Sequence, residues 1–136
     1  MTINEYQKEA LRTEAWGCPY YTSNIGNARL QSGDIGGYVE GRIGHAGRLI
    51  NGLMGLNGEA GEAIDILKKH LFQNHELDRE HLAKELGDVA WYLAVTADAL
   101  GYSLEEILEM NVEKLRARYP NGFEPVRSIE RSRDDL

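Results

Sequence analysis

An all-α chain, most simply a bundle of four helices, is what three observations on the sequence predict. Apolar residues recur at helical spacing through three long stretches, no stretch keeps the strict alternation of a half-buried strand, and three positions carry the side-chain chemistry that opens a helix.

The first helix opens at Thr2-Ile3-Asn4-Glu5, a capping box in which hydroxyl and carboxylate each satisfy a free backbone N–H. Ile3, Tyr6, Ala10 and Leu11 give it a short apolar stripe ending near Glu14. From 15 to 47 the pattern changes, with glycine at 17, 26, 33, 36, 37, 41, 44 and 47 and Pro19 set among Trp16, Tyr20 and Tyr21. This reads as a long Gly-rich loop after the first helix, with a short extended piece at Tyr38-Val39. A loop of that length is either a lid or binding loop, or a surface insertion.

The second helix is expected from about Ala46 or Arg48 to about Phe72, with Leu49, Leu53, Leu56, Ala60, Ile64, Leu67 and Leu71 on one stripe. Within it Gly52, Gly55, Gly58 and Gly61 recur every third residue, each costing about 1 kcal/mol of helix propensity relative to Ala. A tolerated cost of that size points to close approach of another backbone or a ligand. Gln73 to Leu77 is a polar connection, Asp78 caps a third helix, and Gly101 stops it after Leu100. Its stripe is Leu82, Leu86, Val89, Leu93, Ala97 and Leu100. Ser103-Leu104-Glu105-Glu106 is a second capping box, opening a fourth helix with Leu104, Ile107, Leu108, Val112 and Leu115 inward, ended by Pro120-Asn121-Gly122. The organisation expected is one domain over 1–120 and a polar tail over 121–136. Three long helices and a short one make a thin core, which oligomerisation would thicken, with the glycine ridge as a candidate seam.

The chain has 136 residues and a net charge of −7. Nucleic-acid polymers are bound by basic surfaces, so this balance argues against one as partner. The lone Cys18 has no cysteine to pair with and no Cys/His cluster around it, which fits a reducing compartment. No apolar run reaches membrane-spanning length and no signal-peptide core opens the sequence, so a cytoplasmic location away from membranes is expected.

Chemistry concentrates in Gly58-Glu59-Ala60-Gly61-Glu62 and Lys84-Glu85-Leu86-Gly87-Asp88. Carboxylates three apart project from nearly the same side of a helix. Four residues on from Glu59, Glu62, Glu85 and Asp88 stand Ala63, Ile66, Val89 and Tyr92, never a Lys or Arg. Each like-charged pair therefore costs a few tenths of a kcal/mol with nothing on the next turn to offset it. On helical wheels both pairs sit beside the apolar stripe in the same sense, so an antiparallel pair of helices would bring four acids together at the border of the core. Negative charge there calls for a cation.

The succession Gly55-Leu56-Asn57-Gly58-Glu59-Ala60-Gly61-Glu62, then Glu85-Leu86-Gly87-Asp88-Val89-Ala90-Trp91-Tyr92-Leu93, then Asn111-Val112-Glu113-Lys114-Leu115-Arg116-Ala117-Arg118-Tyr119-Pro120 resembles the MazG-type branch of the all-α NTP pyrophosphatases, phage-borne relatives included. The likeness covers roughly 48–120. It implies a helical bundle assembled as a homodimer or homotetramer, and magnesium-dependent cleavage of an NTP or dNTP to the monophosphate and pyrophosphate. It also implies that Glu59, Glu62, Glu85 and Asp88 are the metal ligands and carry catalysis. The Gly-rich segment 15–47 departs from the shorter, more helical N-terminal region the family would lead one to expect.

An acidic protein can hold a triphosphate through hard cations such as Mg²⁺ or Mn²⁺, whose open positions take phosphate oxygens and water. Two or more metals would both acidify the attacking water and stabilise the leaving pyrophosphate. One of the four acids, or a neighbour such as Asp65, would orient or deprotonate the water. Lys69, Tyr92, Asn111, Lys114 and Arg118 are candidate substrate or metal-shell contacts. Each has a plainer reading: Lys68, Lys69, Lys114 and Arg118 suit helix C-termini by charge, Tyr92 and Trp91 suit a core, and His81 is at most an outer partner to a ligand. Arg29, Arg42, Arg48, His45 or an aromatic between Trp16 and Tyr21 could touch a base. Base choice stays open among dGTP, dCTP, dUTP and a non-canonical dNTP. A di-iron bundle is disfavoured, since no Glu-x-x-His occurs among these acids. A non-catalytic nucleotide sensor or adaptor is the alternative to the enzyme.

Overall fold

A computed structural model describes residues 1–14 and 43–129 of the chain. Residues 15–42 and 130–136, and with them Trp16, Cys18, Tyr20, Tyr21, Arg29, Arg42 and the Tyr38-Val39 piece, lie outside the described residues, as does the side chain of His45. Five helices follow in order: α1 Ile3–Arg12, α2 Ile43–Gln73, α3 Arg79–Leu100, α4 Leu104–Arg118 and the single-turn α5 Pro125–Ile129. No β-strand occurs among the described residues, so the fold is all-α as the sequence predicts.

The helix ends are set by the expected local chemistry. Thr2 and Glu5 form the capping box of α1, Ser103 and Glu106 that of α4, and the Asp78 side chain accepts from the His81 N–H to open α3. Gly101 ends α3 at a positive φ, where a side chain would be strained. Asn74, also at positive φ, turns the chain out of α2 in the same left-handed region. Two boundaries differ from expectation. Helix α2 starts at Ile43, so Gly44 and Gly47 are helical, and α5 lies within the stretch expected as polar tail.

Helix α3 is the centre of the molecule. Helix α2, the longest of the five, runs antiparallel along one flank of it. The other flank takes α1 and α4, and the small core of Ala10, Ala94 and Leu104 forms there, surrounded by Tyr6, Trp91, Leu93 and Leu108. A buried glutamine ties these helices together: Gln7 Nε2 donates to the carbonyls of Ala94 (3.2 Å) and Tyr102 (3.4 Å), and its Oε1 accepts from the Leu104 N–H (2.9 Å). Trp91 Nε1 donates to the Ala10 carbonyl and Thr13 Oγ1, and its half-buried ring packs against the small core.

The side of α2 that meets α3 is not centred on the apolar stripe, of which Leu49, Leu56 and Ala60 are half-buried. It carries Arg48, Gly52, Gly55, Glu59 and Ala63, while Leu53, Ile64, Leu67 and Leu71 face outward, Ile64 at 68% exposure. The expected glycine ridge is split accordingly. Gly52 and Gly55 face Thr96 and Tyr92 across the helix pair, whereas a Cβ at Gly58 or Gly61 would meet nothing within 4 Å among the described residues. Arg48 fastens the pair near its open end, bonding Glu14 through Nε (2.8 Å) and Nη2 (2.6 Å) and Asp98 through Nη2 (2.7 Å). That network ties α2 to the end of α1 and to α3 through one guanidinium.

Candidate metal centre

Successive contacts between α2 and α3 fix the register of the site. Thr96 lies over Gly52, the Tyr92 ring over Gly55, and one turn further on Glu59 comes up against Glu85 and Asp88. Each of the three acids offers a carboxylate oxygen, and these atoms all lie within 4.8 Å of one another. Glu85 is buried at 7% exposure, Glu59 is half-buried and Asp88 is exposed, so the group opens from the helix interface to solvent. Glu62, the fourth acid of the two motifs, lies outside this group and is exposed.

Crowding of like charge marks the site electrostatically. Removal from water, followed by the charges of Glu62, Asp88 and Glu85 and a hydrogen bond with Glu85, raises the Glu59 pKa above its ordinary 4.5. The neighbours of Glu85 are Glu59 and His81, whose Nε2 lies 2.8 Å from Glu85 Oε1. Helix α1 also reaches the site. The Tyr6 hydroxyl donates to the Gly87 carbonyl (3.4 Å), and burial together with the nearby charge of Asp88 raises its pKa. The sequence places Tyr6 only in an apolar stripe. Its position beside Asp88 depends on α1 docking across 81 residues of chain, for which the sequence carries no local signal.

The other expected contacts are distributed differently. Tyr92 is half-buried, wedged against Gly55 and edge-on to Trp91 at 4.8 Å, and forms a wall next to the acids. Lys69 Nζ is paired with Asp65 Oδ2 at 2.6 Å, and it stands ten residues beyond Glu59, well along the helix from the acids. Hydrogen bonds from Lys68 and Lys69 hold Asp65 at a pKa of about 2. Asn111 and Lys114 line an open groove of about 460 Å³ with Leu93, Ile107, Leu108 and Met110, and no acid of the cluster lines it. Arg118 is half-buried at the end of α4, 6.0 Å from the centre of the Tyr119 ring.

Residues 51–123 match the family model of the MazG nucleotide pyrophosphohydrolase domain. The chain belongs to this family. The MazG segment holds all four acids of the two motifs together with Asn111, Lys114 and Arg118, and it excludes α1 and Arg48. Among curated relatives, the chain is similar to the Gene 37 protein of Mycobacterium phage L5, 40% identical over 73 residues, or 51% of this chain and 64% of that protein. The chain thus spans less than two thirds of that relative. No solved structure matches the chain. Membership in the MazG family supports nucleotide pyrophosphohydrolase activity in general. Among the described residues, no helix is long and apolar enough to cross a membrane.

Proposed function

We propose that the chain hydrolyses a nucleoside or deoxynucleoside triphosphate to the monophosphate and pyrophosphate, in a site built on Glu59, Glu85 and Asp88 with Glu62 beside them. The observation that carries this reading is the convergence of three carboxylate oxygens from two helices within 4.8 Å of one another. Such a donor set suits a hard divalent cation of the Mg²⁺ or Mn²⁺ kind. Glu59, Glu85 and Asp88 would hold it, with Glu62 available at the exposed rim. When bound, the metal supplies Lewis acidity and charge neutralisation for the polyphosphate.

The chain's own residues do the rest. Tyr92 closes the interior end of the site, so that the open side is the one at Asp88 and Glu62. Proton acceptance from the attacking water is assigned to an acid of the cluster, since Asp65 is paired with Lys68 and Lys69. Lys69, Asn111, Lys114 and Arg118 remain proposed contacts of the substrate, outside the acid cluster in one copy of the chain. We read residues 1–120 as one domain acting in the cytoplasm, and as a homodimer or tetramer; it is the oligomer that the outward apolar residues of α2 support.

The test is incubation of the full chain with each NTP and dNTP in Mg²⁺ or Mn²⁺, with products resolved by anion exchange and the assay repeated in a chelator. Metal-dependent release of monophosphate and pyrophosphate is the expected outcome. Nucleotide binding without products would replace the enzyme by a sensor, and release of orthophosphate would overturn the bond assignment.

A further inference from the structure

We propose that His81 is a positioning residue of the acid cluster: it fixes the carboxylate of Glu85 from behind, and the metal affinity of the site depends on it although it binds no metal itself. This rests on the reading of the cluster as a metal centre.

Glu85 is the buried member of the three acids, and a buried carboxylate needs a partner for each oxygen it takes out of water. Glu59 on α2 meets it from one direction. From the other comes His81, one turn earlier on α3, with Nε2 at 2.8 Å from Oε1. The nitrogens of His81 are nevertheless not in the group of ligand atoms that lie within 4.8 Å of one another, so the imidazole stands behind Glu85 and not beside it. A carboxylate has lone pairs to spare after accepting one hydrogen bond, and Glu85 can accept from His81 while still facing a cation.

The platform is stiff. The His81 backbone N–H donates to Asp78 Oδ1 (2.9 Å), which locks the first turn of α3 from which the imidazole projects. The ring is 56% exposed on its outer side. The Glu85 side chain at the other end of the pair is only 9% exposed, so the contact both satisfies a buried carboxylate oxygen and holds its orientation.

Direct titration with Mn²⁺, without nucleotide and at constant pH, followed by electron paramagnetic resonance, tests this on the full chain. His81→Ala is expected to weaken Mn²⁺ binding by roughly 10- to 100-fold, the usual cost of losing an outer partner of a ligand. His81→Gln, whose amide can donate to Glu85, is expected to recover most of it. Lys84→Ala, which removes an exposed pair with Glu80 on the same helix, should leave the affinity unchanged. Far-UV circular dichroism and a cooperative thermal transition should persist in metal-free His81→Ala, so that the affinity is read on a folded chain. If His81→Ala binds Mn²⁺ normally while Glu85→Gln does not, the role of His81 is overturned and the metal centre stands. Normal binding by Glu85→Gln overturns the metal centre and this role with it. Nitrogen hyperfine coupling from a directly bound imidazole, or a His81→Gln as weak as His81→Ala, would also refute positioning.

Discussion

The ring of Tyr92 on α3 fills the space that a side chain at position 55 of α2 would need: an added Cβ would stand 2.1 Å from Tyr92 Cε1. Glycine is required there because the two helices touch one turn before the acids meet. Gly55→Ala must drive the ring out, and overpacking of this kind costs about 1–3 kcal/mol against about 1 kcal/mol gained in helix propensity. The expected net is a loss of up to about 2 kcal/mol in denaturant titration, recovered in the Gly55→Ala/Tyr92→Ala double variant. Gly58→Ala, which meets nothing within 4 Å among the described residues, should instead gain up to about 1 kcal/mol.

Arg48 supports a second expectation. Its side chain and that of Glu14 are both more than nine-tenths buried, whereas Asp98 is partly in water. Glu14 is the first cause of the raised Arg48 pKa, so the guanidinium stays charged at every accessible pH. Removing one partner of a buried pair leaves some donors of the other unmatched, at about 1–3 kcal/mol where, as at Arg48 with Asp98, a second partner remains. Glu14→Ala should therefore cost that much in chemical denaturation, and Asp98→Ala, an arm screened by solvent, should cost clearly less.

The outward stripe of α2 predicts self-association. Leu53, Ile64, Leu67 and Leu71 follow helical spacing and face water in the single chain. Leu53→Lys/Ile64→Lys should leave helicity unchanged, because surface substitutions stay within about 0.5 kcal/mol, yet shift sedimentation from dimer or tetramer to monomer. An unaltered chain that sediments as a monomer at micromolar concentration would refute the oligomer.

What the sequence discloses divides by distance along the chain. The caps at Thr2, Asp78 and Ser103 and the stop at Gly101 are legible because each is written within a few residues. The pairing of the two carboxylate motifs is legible because both lie on strongly periodic helices joined by a short connection. Periodicity does not say which neighbour a face meets, however. It groups Leu53 and Ile64 into a stripe that a core should cover, yet the seam with α3 is made by Gly52, Gly55 and Glu59. Gln7 and the Arg48–Glu14–Asp98 network give no signal, since their partners lie 34 to 97 residues away and polar side chains carry no period of their own.

The acids should separate in turnover. Glu59→Gln, Glu85→Gln and Asp88→Asn are expected to lose more than about a hundredfold in pyrophosphate release, beyond the cost of an outer partner. Glu62→Gln, outside the converging group, should lose less, and Asp65→Asn should change turnover little. Loss of activity in Asp65→Asn comparable to that of Glu59→Gln would return the proton acceptor to Asp65.

Glu59 gives the last expectation, in pH. Its pKa is raised in the folded chain relative to the ordinary 4.5, so between these two values the folded state holds a proton that the unfolded state has released. Stability without metal should therefore fall as pH climbs from about 4.5 through the raised pKa of Glu59, and the penalty should be complete above it. Glu59→Gln removes the penalty: in thermal scans without metal it should match the unaltered chain near pH 4 and exceed it at pH 7.5. Saturating divalent cation should reverse the order, because a cation held only by the folded chain stabilises it by mass action and the variant has lost one of three converging acids. A variant that gains as much from Mg²⁺ or Mn²⁺ as the unaltered chain would show that Glu59 is crowded by its neighbours without serving the cation.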